Sequence, residues 1–153
     1  DRLPIDGYER VLDFGCGMGT IAYFVAKKLP HGHLTCLDIS ARWLNNCRKT
    51  LRKYGNVTFL KSEAPVLPEE SFDVAYCHFV LHDIAKEELE RVIPALAKSI
   101  KHGGALVFRE PLNEIEKLSI IRGLIEQNGL SLKDSRFTDI PLMGNVLESM
   151  YVK

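Results

Sequence analysis

The stretch Val11–Thr20, with the sequence VLDFGCGMGT, constrains the fold more than any other part of this chain. An apolar run, which predicts a buried strand, ends in Asp13 and is followed by three alternating glycines and then by an apolar helical pattern. Glycine has no Cβ and accepts positive φ, so a ligand can lie directly on the backbone of such a turn. The N-terminus of the following helix adds free N–H groups and a partial positive charge. The stretch therefore predicts a strand, a ligand-binding turn and a helix.

The spacing of the glycines and the acid before them favour one class of ligand. Turns that bind dinucleotides have the pattern Gly-x-Gly-x-x-Gly, whereas here the third glycine, Gly19, comes one residue earlier. The carboxylate of Asp13 would repel a diphosphate but would accept hydrogen bonds from an ammonium group. A nucleoside with an amino-acid tail is therefore favoured over a dinucleotide. The alternative is a turn without a ligand, but three glycines there would weaken packing without an evident structural benefit.

The pattern acid-x-Gly-x-Gly-x-Gly resembles motif I of the class I S-adenosylmethionine (SAM) methyltransferases. The resemblance implies that SAM is the cofactor and that its methyl group is transferred to an acceptor, which the sequence does not identify. It also implies that the turn binds SAM through Asp13, Gly15, Cys16, Gly17 and Gly19.

Composition and charge restrict the classes of function that the chain can have. The 153 residues suffice for one domain, which we expect to cover residues 1–153, and 20 Lys and Arg balance 20 Asp and Glu. Because there is no basic surplus, a nucleic acid is not favoured as the acceptor. No apolar run approaches the length of a membrane span, so we expect no membrane association and a cytoplasmic location.

The cysteines do not form a Cys-x-x-Cys pair, and three of them lie in or beside apolar strand runs. They are Cys16, Cys36, Cys47 and Cys77. This usage is typical of small buried apolar residues in a reducing compartment rather than of zinc ligands or disulfides. We therefore predict no metal site.

Alternating strand and helix patterns predict an α/β fold, with a mostly parallel sheet and helices on both faces. The predicted strands cover residues 10–12, 33–38, 57–60, 72–77, 105–108, 131–139 and 146–152. The predicted helices cover about residues 21–29, 41–54, 86–102 and 114–128. The last two strands form an antiparallel hairpin, because their connection is short. The resemblance implies a Rossmann-like doubly wound sheet of strand order 3-2-1-4-5-7-6, whereas an NAD(P)-dependent oxidoreductase, the rival enzyme class, would more often continue with a sixth parallel strand.

Asp38 ends the second predicted strand and lies about 20 residues after Gly19, a spacing that places a carboxylate against a ribose diol. We assign Asp38 and the adjoining Ile39 to the cofactor site. The alternative role for Asp38 is a helix N-cap, for which Ser40 is better placed. An acid at this position also fits NAD, so it does not separate the two cofactors.

The stretch from residue 62 to residue 68, with the sequence SEAPVLP, resembles the acid-Ala-x-x-Leu-Pro motif that follows the third strand in the family. The resemblance implies that Glu63 accepts a hydrogen bond from the adenine amino group and that the backbone near Ala64 contacts the ring. The family more often has Asp at the first of these positions. A solvated loop acid is the alternative for Glu63.

The stretch from residue 72 to residue 82, with the sequence FDVAYCHFVLH, resembles the strand-4 motif of the same family. The resemblance implies that Cys77 and His78 form the floor of the methyl-transfer site and that Phe79 flanks the adenine. Asp73 lies at the beginning of the strand, away from the ligand, so we expect it to be structural.

Methyl transfer from a sulfonium is an in-line displacement, and holding the donor and the nucleophile in line supplies most of the catalysis. A general base is needed only when the nucleophile starts protonated. His78 is the first candidate, because an imidazole titrates near neutral pH, and Glu110 at the end of the fifth strand is the second. A histidine that only fills space is the alternative for His78.

Few residues precede the first strand and no long insertion follows the fifth, so we expect an open site. Such a site would suit a macromolecule such as a protein, or a small molecule enclosed with the help of a missing N-terminus or a partner chain. A SAM-binding regulatory subunit without catalytic activity is the remaining alternative.

Overall fold

The computed structural model describes residues 3–62, 66–141 and 144–153, which form a seven-stranded sheet of order β3-β2-β1-β4-β5-β7-β6. The strands are β1 (Arg10–Phe14), β2 (His33–Asp38), β3 (Val57–Lys61), β4 (Phe72–His78), β5 (Ile100–Pro111), β6 (Ser131–Ile140) and β7 (Gly144–Val152). Strands β1 to β5 pair in parallel, and β7 is antiparallel to both β5 and β6. The Rossmann-like order and the antiparallel C-terminal hairpin are therefore confirmed.

Among the described residues, four α-helices cover the two faces of the sheet, and the strands alternate their side chains between these faces. The helices are α1 (Thr20–Lys27), α2 (Ala41–Thr50), α3 (Lys86–Ser99) and α4 (Ile115–Gln127). Val11 and Val74 pack with α1 and α2 in one core cluster, whereas Leu12 and Ala75 pack with α3 and α4 in the other. Within the described ranges, no helix combines the length and apolar character needed to cross a bilayer.

The boundary between α3 and β5 differs from the prediction. Helix α3 ends at Ser99 rather than near His102, and β5 begins at Ile100 rather than at residue 105. The pairing of β4 with β5 shifts register in this region, from Phe72 opposite Ile100 to Val74 opposite Ala105. The extra residues of β5 form this irregularity, so the two glycines at 103 and 104 lie inside a strand. Helix α2 likewise ends at Thr50, four residues before its predicted end.

Asp73 holds the beginnings of three strands together. One carboxylate oxygen accepts a hydrogen bond from the backbone N–H of Arg10 at 2.8 Å, and the other pairs with Lys101 Nζ at 2.7 Å. The structural role expected for Asp73 is therefore in agreement with its contacts. Because β1, β2, β4 and β5 run parallel from this edge, their carboxyl ends meet at the opposite edge.

Candidate functional site

A cleft of about 760 Å³ lies at the carboxyl ends of the central strands. Its volume is within the range of sites that hold a small organic ligand. Among the residues assigned to the cofactor from sequence, five line it: Gly15, Gly17, Asp38, Ile39 and Phe79. Its wall also includes residues that were not assigned to the cofactor from sequence, among them Trp43, Val80, Asp83, Ile84 and Glu88.

Asp38 connects the glycine turn to the end of β2. Its Oδ2 accepts a hydrogen bond from the backbone N–H of Gly17 at 2.9 Å, and its Oδ1 accepts one from Ser40 N–H at 2.9 Å. The cap of α2 is Ser40, whose Oγ accepts a hydrogen bond from Trp43 N–H at 3.3 Å. Asp38 is thus not the helix cap, and its carboxylate stands at the wall of the cleft, 8 % exposed.

Glycine is needed at two positions of the turn for different structural reasons. Gly15 has φ of +79°, and a Cβ there would lie 2.4 Å from Cγ2 of Val80, so only glycine lets the loop after β4 close against the turn. Gly17 has φ of +52° and lines the cleft, and no described atom lies within 4 Å of the position a Cβ would take. The backbone at Gly17 therefore leaves free space on the cleft side, which fits a ligand lying directly on the turn.

Asp13, which was assigned to the cofactor from sequence, is 2 % exposed and does not line the cleft. Its Oδ2 accepts a hydrogen bond from the hydroxyl of Tyr76 at 2.6 Å. Burial raises the pKa of Asp13 to about 8, although the Tyr76 hydrogen bond acts in the opposite direction. The sequence analysis missed Tyr76, and the signal that identifies it is the strand register, because Asp13 and Tyr76 are directly paired across β1 and β4.

Cys16 and Gly19, which were also assigned to the cofactor from sequence, do not line the cleft. The Sγ of Cys16 lies beside the thiols of Cys36 and Cys47, in the core between the sheet and α2. Gly19 is backed by the same helix, since a Cβ there would lie 2.7 Å from Cys47 Sγ. Cys16 and Gly19 can therefore contribute to the cleft through their backbone only.

His78 lines a second cavity, of about 560 Å³, on the sheet face that carries α1. Tyr76, Arg109 and Glu148 line the same cavity. Burial, followed by the charge of Arg109, lowers the pKa of His78 to about 4. The imidazole was expected to titrate near neutral pH, but in this environment it is neutral there and a weak base.

Phe79 follows His78 and has φ of +54°, a conformation that costs energy for a residue with a bulky side chain. Its backbone N–H donates to the carbonyl of Arg109 at 2.9 Å, which holds the turn in place. The rings of His78 and Phe79 meet edge to face, with centroids 4.7 Å apart. The strained turn directs Phe79 to the cleft, whereas Cys77, 1 % exposed, lines the second cavity together with His78.

Glu110 is fully buried at the end of β5, and both of its oxygens have partners. Oε1 accepts hydrogen bonds from the backbone N–H groups of Val80 (3.1 Å) and Leu81 (2.8 Å). Oε2 faces the backbone N–H and the ring Nδ1 of His82. Burial raises the pKa of Glu110. These contacts fix the loop after β4 to β5. His82, which ends the strand-4 motif and was expected to lie further out, contacts Glu110.

The predicted adenine contacts at Glu63 and Ala64 lie outside the described residues. Ser62, which precedes them, is at the wall of the cleft. The roles of Glu63 and Ala64 therefore stay predictions.

Comparison with known proteins identifies related sequences. The family model described as a methyltransferase domain matches residues 11–104, more than half of the chain. A tRNA N(3)-methylcytidine methyltransferase of Schizosaccharomyces pombe is 32% identical over 117 residues, which are 72% of this chain and 46% of that protein. A trans-aconitate 2-methyltransferase of Paracidovorax citrulli is 29% identical over 115 residues, 75% of this chain and 44% of that protein. The chain thus spans less than half the length of these curated relatives.

Solved structures with the same fold are more distant in sequence. A SAM-dependent methyltransferase of Methanosarcina mazei superposes with a TM-score of 0.82 at 16% identity, covering 97% of this chain and 94% of that one. The [4+2]-cyclase SpnF superposes with a TM-score of 0.81 at 16% identity, covering 99% of this chain and 78% of that one. The fold is therefore shared by proteins named for different reactions.

Proposed function

Since this chain belongs to the family of class I SAM-dependent methyltransferase domains, we propose that it binds SAM in the cleft and transfers the methyl group to an acceptor. The observation that carries the proposal is the pairing of Asp38 with the open backbone of Gly17 at one wall of the cleft. A carboxylate has about four acceptor positions, so Asp38 can keep its two backbone hydrogen bonds and still accept ribose hydroxyls. The antiparallel hairpin weighs against an NAD(P)-dependent oxidoreductase.

Several residues would hold the cofactor, and two of them offer apolar surface at the cleft. Ile39, which is 65 % exposed, and Phe79 offer apolar surfaces on which a planar base can pack. Asp13, buried in β1 just before the turn, is the predicted partner of the ammonium group, whose charge would favour the ionised form of its carboxyl. Glu63 and Ala64 complete the predicted set at the adenine.

Bound SAM supplies a methyl group on a positively charged sulfur, which a nucleophile can displace. The chain's own residues position the reaction rather than move a proton. His78 is neutral at neutral pH and has a pKa near 4, so it accepts protons weakly. Glu110 already accepts hydrogen bonds from the loop after β4, so we assign it to positioning Val80 and Leu81 rather than to general base catalysis. This arrangement suits an acceptor whose nucleophile needs no strong base.

The class of methyl acceptor, the cellular location and a partner chain are also proposals. The names of the relatives include a tRNA and a small organic acid as acceptors, so family membership leaves the acceptor class open. The balanced net charge favours a small molecule or a protein over a nucleic acid. We propose a cytoplasmic location, and a partner chain that covers the open cleft stays a prediction.

Two measurements test this function. Calorimetric titration with SAM and S-adenosylhomocysteine should show one binding site, with NADH at the same concentration as the control. Transfer of a radiolabelled methyl group should then be screened over cell extract, with protein, RNA and metabolite fractions assayed separately. Binding without transfer to any fraction would favour the regulatory subunit. Binding of neither adenosyl compound would overturn the proposal.

A further inference from the structure

Three cysteines from separate parts of the chain converge beneath the glycine turn. Cys16 belongs to the turn, Cys36 to β2 and Cys47 to α2. Their Sγ atoms all lie within 4.8 Å of one another, and all three residues are buried. We call this group the thiol cluster. The sequence analysis did not find it, because the spacings of 20 and 11 residues resemble no metal-binding motif.

The thiol cluster is enclosed by rigid parts of the fold. Cys36 lies in a central strand, paired with Asp13 of β1, and Cys47 lies on the buried side of α2. On the turn side, the wall is the backbone of Gly19, where a Cβ would lie 2.7 Å from Cys47 Sγ. Cys16, 8 % exposed against 0 % for the other two, is the member nearest to solvent. An ion would therefore enter past Cys16 and would find three sulfur atoms already facing one another.

The donor set selects the class of ion. Within the described residues, the cluster offers three thiol sulfurs, and no histidine or carboxylate belongs to it. Structural zinc sites almost always have four ligands, whereas soft sulfur ligands favour Cu(I). Cys77, the fourth cysteine, packs in the other core cluster and is separate from the group. We propose that Cys16, Cys36 and Cys47 form a three-sulfur binding site for Cu(I).

The binding step involves no electron transfer. Each sulfur forms a coordination bond to Cu(I), and each thiol that does so releases its proton to solvent. The copper stays monovalent and the thiols are not oxidised. The ion's positive charge offsets part of the negative charge that the ligating sulfurs acquire. The competing explanation is that the three side chains only fill space in the core.

Titration of the reduced chain with Cu(I) under anaerobic conditions tests the proposal without SAM. Cu(I) is supplied as its coloured bicinchoninate complex, and loss of colour reports transfer to the protein. The wild-type chain should take up one equivalent, and X-ray absorption of the product should show three sulfur neighbours. Absence of transfer, or a copper site built from nitrogen or oxygen, would overturn the proposal. So would retention of added Zn(II) by a chain that does not retain Cu(I).

Variants locate the ion within the chain. Cys36→Ala should weaken Cu(I) binding by more than about tenfold, since even indirect partners of a metal ligand contribute that much. Cys77→Ala is the matched control, because it removes a buried thiol from the opposite core and should bind Cu(I) as the wild type does. Circular dichroism checks that both variants are folded. Undiminished binding by folded Cys36→Ala would place the copper elsewhere and overturn the site, and the X-ray absorption of the wild type decides the matter if that variant does not fold.

Discussion

Asp38 accepts two backbone hydrogen bonds and still stands at the wall of the cleft. Replacing it with alanine should weaken SAM binding by about 1–3 kcal/mol, the scale of one lost charge-assisted hydrogen bond. Asp73→Ala is the matched control, because it removes an aspartate from the opposite edge of the sheet. Calorimetry measures both affinities, and equal affinity in Asp38→Ala and the wild type would remove Asp38 from the site.

Asp13 makes stability depend on pH in the direction opposite to that of an ordinary carboxylate. The folded chain holds its proton up to a pKa of about 8, whereas the unfolded chain releases it near 3.8. Because the folded state binds more protons between these values, the contribution of Asp13 to the free energy of unfolding falls as pH rises through this range. Asp13→Asn should therefore gain stability relative to the wild type from pH 5 to pH 9, measured by urea unfolding.

Asp73→Asn serves as a control, because its stability difference from the wild type should change with pH in the opposite direction. The pKa of Asp73 is lowered, and Lys101 and the Arg10 N–H stabilise its ionised form. Its stabilisation is therefore present above the unfolded pKa and disappears in acid. A stability difference between Asp13→Asn and the wild type that stays constant with pH would contradict the buried, protonated carboxyl.

The pKa of His78 is set by its position more than by its residue type. Burial is the larger cause of the lowered value of about 4, and the guanidinium of Arg109 is the second. Arg109→Gln should raise the pKa of His78, and NMR titration of the imidazole shifts measures the change. Lys101→Gln serves as the control, since it removes a cation at the other end of β5. An unchanged pKa in Arg109→Gln would show that Arg109 has no effect on the ring.

At the scale of elements, the glycine turn and the loop after β4 fit together through Gly15 and Val80. Gly15→Ala should destabilise the fold by about 1–2 kcal/mol from its positive φ, and by more from the overlap with Val80. The double variant Gly15→Ala, Val80→Ala should relieve the overlap with Cγ2 of Val80, but it keeps the backbone cost and a 2.9 Å approach to the Cβ of residue 80. Urea unfolding of the wild type, the two single variants and the double variant gives the coupling energy between residues 15 and 80. Strict additivity of the two changes would show that the two segments do not interact.

The elements themselves were predictable from local pattern, and the contacts between them were not. The alternation of apolar runs gave the strands, and Ser40 and Gly17 were identifiable from turn and cap chemistry. The contact of Asp13 with Tyr76 depends on register across two strands 63 residues apart, which no local pattern contains. The early start of β5 depends on an irregular pairing with β4 that is likewise non-local.

At the scale of the whole molecule, a ligand that binds only the folded chain should stabilise all of it. SAM at about 100 times its dissociation constant should raise the free energy of unfolding by about 2.7 kcal/mol. Urea unfolding with and without SAM measures the increase, and Asp38→Ala at the same SAM concentration should show less of it. A similar increase with NADH in place of SAM would contradict the proposed cofactor.

The order of the sheet followed from the family resemblance, and the carboxyl-end location of the cleft followed from the general rule for parallel sheets. The residues that line the cleft could not be predicted in this way. Trp43 and Glu88 reach the cleft because α2 and α3 begin beside it, and helix direction alone does not specify which first-turn side chains turn inward. The thiol cluster could not be predicted either, since it forms only after the glycine turn, β2 and α2 pack together.

His78 and Phe79 are neighbours in the chain, yet each lines a different cavity. Their rings touch, and the backbone of Phe79 is held at an unfavourable positive φ. A substitution that removes either ring to enlarge one cavity will therefore also change the other cavity. Reshaping this protein for a new ligand therefore requires both cavities to be redesigned together.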